Sequence, residues 1–305
     1  MAEGAEDPFA RARTHQALLS DRVRTLAYRR ALEAAVRPQD VVLDLGCGTG
    51  IFSMIAARRG CRKVYAVDRS EIIEDARETA RRNGLDGRIE FIRAPFDQLE
   101  LPERVDLIVH ELIGSRFWDE DVLAAVARAR ARHLRPGGGL LPFRLDVLLA
   151  PTRHVSELER ALAFWTRKRE GFDLGAFGRL AFEQTARDSL VPTNIALRDT
   201  TSLLARPKVI FRADLRRTAR LPGEIRTSFR LRRGQRLTGL CAFLRVHMDP
   251  RRSFTTGPQR PGTHWGQLFL PAFEPTVVGK DRRLDVTLSM AVRARDWRWS
   301  LDFSR

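Results

Sequence analysis

The sequence predicts two folding regimes in one chain: a parallel sheet covered by helices, then an all-β half. Three observations carry this. The hydrophobic run Val41–Leu45 leads into the glycine-rich turn Gly46-Cys47-Gly48-Thr49-Gly50, and a second apolar run at 63–67 is followed by Asp68. Apolar runs then alternate with helix-like segments as far as about residue 147, the grammar of a sheet wound by helices. Beyond that point the alternation stops and short runs of period two take over.

In chain order, residues 18–35 carry Leu18, Leu19, Val23, Leu26, Ala27 and Leu32 at spacings that favour one apolar face, so a helix is expected there, ending near Pro38. Strands are expected at 41–45, 63–67, 89–92 and 106–110, with a helix at 70–83. A further helix is expected at 122–134, and Arg135-Pro136-Gly137-Gly138-Gly139 reads as its stop and a turn. In the second half, strands at 208–212, 227–231, 239–247 and 284–291 should form a barrel or sandwich, with a helical insertion around 162–181.

At 305 residues and 43% hydrophobic, the chain is long enough for two packed units. No apolar run reaches membrane-spanning length, and the first twenty residues carry charges without an apolar centre, so neither a membrane segment nor a secretory leader is expected. Cys47, Cys61 and Cys241 are scattered with no metal-like pairing, so no metal is expected and a cytoplasmic, reducing location is. The net charge of +16 is almost wholly arginine, since Lys63, Lys168, Lys208 and Lys280 are the only lysines. Such a charge attracts polyanions, but the arginines are spread rather than gathered into one tract; nucleic acid is an allowed partner and not the favoured one.

Alternate glycines from Gly46 to Gly50 remove the Cβ atoms that would hold a ligand away from the turn. Asp68, at the end of the second strand, can accept hydrogen bonds from ribose hydroxyls. The spacing is GxGxG preceded by Asp44, not the GxGxxG of dinucleotide sites, and it points to S-adenosylmethionine rather than NAD.

After the fourth strand, Glu111 and Glu120 flank a loop at the carboxyl end of the sheet, where ligands of such sheets bind. Two ionised carboxylates held close repel unless a cation lies between them, and a guanidinium with paired donors suits that gap. Far downstream, Thr263-His264-Trp265 lies between β segments. With these motifs in order, the chain resembles the protein arginine N-methyltransferases from about His15 to its end, most strongly over 41–151. The resemblance implies a Rossmann-like class I methyltransferase domain followed by a β-barrel with an inserted helical dimerisation arm. The implied boundaries are a cofactor-covering helical segment at 1–36, an S-adenosylmethionine domain at 37–148, and a barrel at 149–305 with the arm at about 165–207. A homodimer is implied with them.

Position by position, the resemblance gives catalytic roles to Glu111 and Glu120, which would grip the guanidinium, and to His264 and Asp21, which would tie the barrel to the N-terminal helix. Arg24 would meet the carboxylate of the cofactor's methionine portion, with His15 nearby. Asp44, Gly46, Gly48 and Gly50 would shape the cofactor turn, Asp68 would hold the ribose, and Phe96 with Asp97 would flank the adenine. Phe9, Ser115 and Trp265 are the expected substrate-side residues. The implied reaction is direct displacement, in which a guanidino nitrogen takes the sulfonium methyl. The family's Tyr-Phe-x-x-Tyr element is replaced here by Ala5, Glu6 and Phe9, and Leu112, Ile113 and Ser115 replace larger residues of the glutamate loop, so the pocket wall differs. The first expected acceptor is an arginine-containing protein or peptide. A small free guanidino compound or an indole-like ring is the second, and a non-catalytic or nucleic-acid-binding homologue is the third reading.

Overall fold

A computed structural model describes residues 11–114, 116–118, 121–154, 163–165, 167–178 and 192–304. Two helices open the described chain, α1 (Ala12–Ser20) and α2 (Arg22–Ala35). The single helix expected at 18–35 is therefore broken. Asp21 stands between the two at φ −72° and ψ 88°, and its carboxylate accepts a hydrogen bond from the Arg24 backbone N–H at 2.9 Å. That bond satisfies an amide of the first turn that has no partner within the helix, so the chain restarts at Arg22.

There follow β1 (Val41–Leu45), α3 (Ile51–Arg58), β2 (Lys63–Asp68), α4 (Ile72–Arg82), β3 (Ile89–Arg93), β4 (Val105–His110), α5 (Val122–His133) and β5 (Leu134–Leu141). The five strands form one parallel sheet in the order β3-β2-β1-β4-β5. Every residue of β1 is buried, as befits a central strand covered on both faces. Strand order reverses between β1 and β4, which opens a crevice past their carboxyl ends. Gly46 follows β1 and Glu111 follows β4, so both enter that crevice.

Residues 135–139 are not the expected turn. They belong to β5, whose register with β4 jumps from Val105↔Leu134 to Leu107↔Gly139, so the residues between bulge out of the ladder. The glycine leaves room for the Leu107 side chain, since a Cβ on Gly139 would lie 2.8 Å from Leu107 Cδ1 and oblige that side chain to shift.

The second half contains β6 (Arg144–Thr152), β7 (Thr193–Ile195), β8 (Lys208–Asp214), β9 (Glu224–Leu231), β10 (Arg236–His247), β11 (Ser253–Thr255), β12 (Gln267–Val277), β13 (Arg282–Ser289) and β14 (Arg298–Ser304). It builds two antiparallel sheets, β7-β12-β10-β6-β8 with β11 on β10, and β14-β13-β9. Alternation is plain in β13, where Leu284, Val286 and Leu288 are buried and the residues between them are not. This is the barrel-like second unit that loss of helical period predicted. Much of the insertion expected at 162–181 lies outside the described residues; 163–165 and 175–178 are helical turns.

One apolar cluster runs through both halves. The loop after β4 is pinned into it by Phe117 and Trp118, which make edge contacts with Trp297 and Phe211 at centroid distances of 6.0 and 6.1 Å. Among the described residues no helix is long and apolar enough to cross a membrane, and no group of three His, Cys, Asp or Glu could hold a metal ion.

Candidate active site

The crevice is a cavity of about 750 Å³, lined by α1, α2, the glycine turn, the ends of β2 and β4, and His264. All three glycines of the turn have left-handed backbones, Gly46 at φ 76°, Gly48 at φ 50° and Gly50 at φ 72°, and the first two face the cavity. A Cβ on Gly46 would come within 2.6 Å of Leu112 Cδ2, and one on Gly48 within 2.9 Å of His15 Cε1. Any side chain here would be strained and would also fill the space a ligand needs.

At the end of β2, Asp68 is turned toward the same turn. Its Oδ2 accepts the Gly48 N–H at 2.9 Å, and its Oδ1 accepts the Ser70 N–H at 2.9 Å and the Ser70 hydroxyl at 2.7 Å. A carboxylate offers about four acceptor positions, so about one remains for a ligand hydroxyl. Phe96 lines the cavity beside it.

The floor is an ion pair. Arg24 Nη1 lies 2.6 Å from Glu111 Oε2, with the two side chains 5% and 9% exposed. Arg24 Nη2 donates to the Leu18 carbonyl at 2.8 Å, and its guanidinium sits 5.5 Å from the centre of the Phe52 ring. Its Nε is buried without a partner. Burial raises the Glu111 pKa, and the charges of Arg24 and His264 with the hydrogen bonds from Arg24 and the Ile113 N–H only partly oppose this. Tyr28 on α2 aligns the pair, since its hydroxyl donates to the carbonyl of His110, the residue before Glu111, at 3.0 Å.

His264 closes the cavity from the β half. Its backbone N–H and Nδ1 both meet Asp21 Oδ2, at 2.9 and 2.8 Å. An ionised carboxylate only accepts, so Nδ1 carries the proton and Nε2 is the atom left to bind one. Burial alone would raise the Asp21 pKa, but the hydrogen bonds from His264 and Arg24 and the charge of His264 lower it.

Several residues expected at the site do not line the cavity. Asp44 is buried beneath the turn, where it accepts the Ser53 hydroxyl at 2.6 Å; burial lifts its pKa to about 7 against the Ser53 bonds, with Asp68 adding to the rise. Gly50 caps α3 in a left-handed conformation, facing Phe91 and Ala76. Asp97 is exposed, and its carbonyl accepts a bond from Arg132 at 3.0 Å. Trp265 is buried under the glutamate loop, stacked on Phe254, with its Nε1 donating to the Ile113 carbonyl at 2.7 Å. It braces the wall from behind because its indole N–H needs a buried acceptor. Asp21 does not itself line the cavity; it holds two residues that do, His264 and, through its backbone N–H, Arg24. Phe9, Ser115 and Glu120 lie outside the described residues.

Sequence reasoning missed Arg69 and Asp121, which line the cavity. Each directly follows a residue already singled out, Asp68 and Glu120, and that adjacency was the available signal. The Arg24–Glu111 contact left no local trace, because 87 residues separate the partners.

The cavity suits S-adenosylmethionine on three counts: the glycines leave a cradle that a Cβ would fill, Asp68 keeps acceptor capacity, and buried Arg24 keeps an unpartnered Nε for an anionic group.

Residues 42–138 match the family model described as a methyltransferase domain, and residues 149–304 match the arginine methyltransferase oligomerization subdomain. Protein arginine N-methyltransferase 1 of Saccharomyces cerevisiae is 31% identical, with 83% of this chain and 73% of that protein aligned. The enzyme of the same name from Dictyostelium discoideum is 28% identical over 98% of this chain and 88% of its own length. Among solved structures, the Trypanosoma brucei PRMT1 enzyme-prozyme heterotetramer with AdoHcy superposes with a TM-score of 0.83 at 25% identity, covering 98% of this chain and 96% of that one. Arabidopsis thaliana protein arginine methyltransferase 10 gives 0.81 at 25% identity, over 97% and 93%. A match over more than half the chain and a relative above 30% identity agree with the glycine turn, the glutamate loop and the His264 closure: this chain belongs to the protein arginine methyltransferase family.

Proposed function

We propose that the protein transfers a methyl group from S-adenosylmethionine to a guanidino nitrogen of arginine in a protein or peptide. One observation carries this reading above the others: Glu111, a buried carboxylate already paired with a guanidinium, shares a cavity with the glycine turn. When bound, the cofactor supplies an electrophilic sulfonium methyl. The unpartnered Nε of Arg24 supports its binding the anionic end of that cofactor, and the remaining acceptor capacity of Asp68 supports its accepting from the ribose. Drawing Arg24 toward the cofactor exposes Glu111 to the acceptor.

A free guanidinium, with a pKa of about 13, is a poor nucleophile. Glu111, with Glu120 on the same loop, would orient the acceptor and hold its positive charge on the nitrogens that do not attack. Alignment supplies much of the remaining gain. His264, its Nδ1 proton committed to Asp21, offers Nε2 for the proton that the acceptor must lose.

The same reading includes a homodimer. The oligomerization subdomain match supports it, as does the exposed aromatic group of the insertion, where Phe172 is 71% exposed and Phe177 52% exposed and stacked on Trp165. Light scattering that finds only monomer would remove that part.

The activity is tested by incubating the protein with methyl-labelled S-adenosylmethionine and a panel of arginine-glycine peptide, free arginine and indole compounds, followed by fragmentation of the products. Label on a peptide guanidino nitrogen supports the reading; label confined to indoles removes it.

A further inference from the structure

In the loop from β4 to α5, the described residues Phe117 (φ 70°) and Asp121 (φ 50°, ψ 39°) have left-handed backbone. Such backbone is costly for a residue with a Cβ and persists only where its surroundings impose it. Here they do. Phe117 and Trp118 are locked in the core, the Asp121 N–H donates to the Trp118 carbonyl at 2.8 Å, and the Asp121 carbonyl accepts the Ala125 N–H at 3.0 Å.

The turn takes a carboxylate away from the end of the helix. Asp121 is the N-cap residue of α5, where an aspartate ordinarily accepts an amide two or three residues on, yet it makes no such bond. It lines the cavity that holds Glu111, Arg24 and His264, is exposed, and among the described residues its side chain has no hydrogen bond or ion pair. Glu111, by contrast, is buried and matched by Arg24. Beside Asp68 at the ribose end, the cavity therefore offers two further carboxylates of different character: Glu111, inner and paired with Arg24, and Asp121, outer and, among the described residues, unpaired.

We propose that Asp121 is a specificity residue that reads a second positive charge on the acceptor, separate from the guanidinium that receives the methyl group. This rests on the guanidino-acceptor reading above. In a chain of net charge +16, cationic acceptors are repelled at long range, and a local carboxylate at the cavity offsets that repulsion and fixes the acceptor's orientation. The second charge is a cation beside the reacting arginine, either a neighbouring basic side chain of a peptide or the α-ammonium of free arginine.

The test compares wild type with Asp121→Asn on three acceptors: a peptide with lysine beside the arginine, the same peptide with norleucine in place of lysine, and free arginine. Both kinetic constants are measured, with calorimetric binding of each acceptor to protein loaded with S-adenosylhomocysteine. Asparagine keeps the side-chain shape and tolerates left-handed backbone, so the loop is retained. KM and Kd for the lysine peptide should rise about two- to fivefold, the size of one exposed charge contact, with kcat held and the preference over the norleucine peptide lost. If free arginine shows that rise instead, the charge read is the α-ammonium. Equal changes on all three acceptors, or a fall in kcat alone, would overturn the role of Asp121 while leaving the guanidino reading intact. Failure of the wild type to bind or methylate any guanidino acceptor would overturn both.

Discussion

Asp21 and His264, 243 residues apart, meet through two hydrogen bonds to a single carboxylate oxygen, while the other oxygen caps α2. One side chain thus fixes the start of the helix that carries Arg24 and docks the β half onto it. Asp21→Ala should cost about 2–4 kcal/mol in denaturant unfolding, the sum of a lost cap and bonds to a charged group. The folded pKa of Asp21 is lowered, so its contribution is present above the unfolded value and disappears as pH falls through the folded one. A loss below about 0.5 kcal/mol would show that the contact is ornamental.

Asp44 has the opposite sign. Its folded pKa of about 7 lies above that of an unfolded aspartate, so the native state keeps a proton that the unfolded chain has released. The stability it contributes is full below about pH 4 and is lost as pH rises through about 7. Urea unfolding of Asp44→Asn should therefore gain on wild type between those limits; parallel pH curves would refute the assignment.

Gly48→Ala should weaken S-adenosylhomocysteine binding about tenfold or more, since the added Cβ strains the left-handed backbone and collides with His15, which lines the cavity. Gly84 is a matched control, with φ 66° and open space around its missing Cβ. Gly84→Ala should lose about 1 kcal/mol of stability and leave affinity unchanged. Equal affinity losses in the two variants would mean that the cradle is not the reason.

The sheet was legible because β1 and β2 are mostly apolar, and β1 runs straight into Gly46 while β2 ends on Asp68, residues of special chemistry. Helix ends were less so: the break at Asp21 depends on a cap that also serves His264, and the strand at 134–141 hides in glycines because its register bulges. At the site, motif residues were found, but depth was not. Asp44 and Trp265 sit behind the surfaces their motifs border, a distinction that spacing along a strand or loop does not encode.

The central claim is that Arg24 serves the cofactor and Glu111 the acceptor, the two being paired until both arrive. The most direct test is Glu111→Gln, with methyl transfer to an arginine peptide and S-adenosylhomocysteine binding measured on the same preparation. Turnover should fall about 100-fold or more, the scale of a lost electrostatic contact in the transition state. Cofactor affinity should be no weaker than wild type, because Arg24 is no longer shared. Turnover at the wild-type level, or affinity and turnover falling together in proportion, would contradict it.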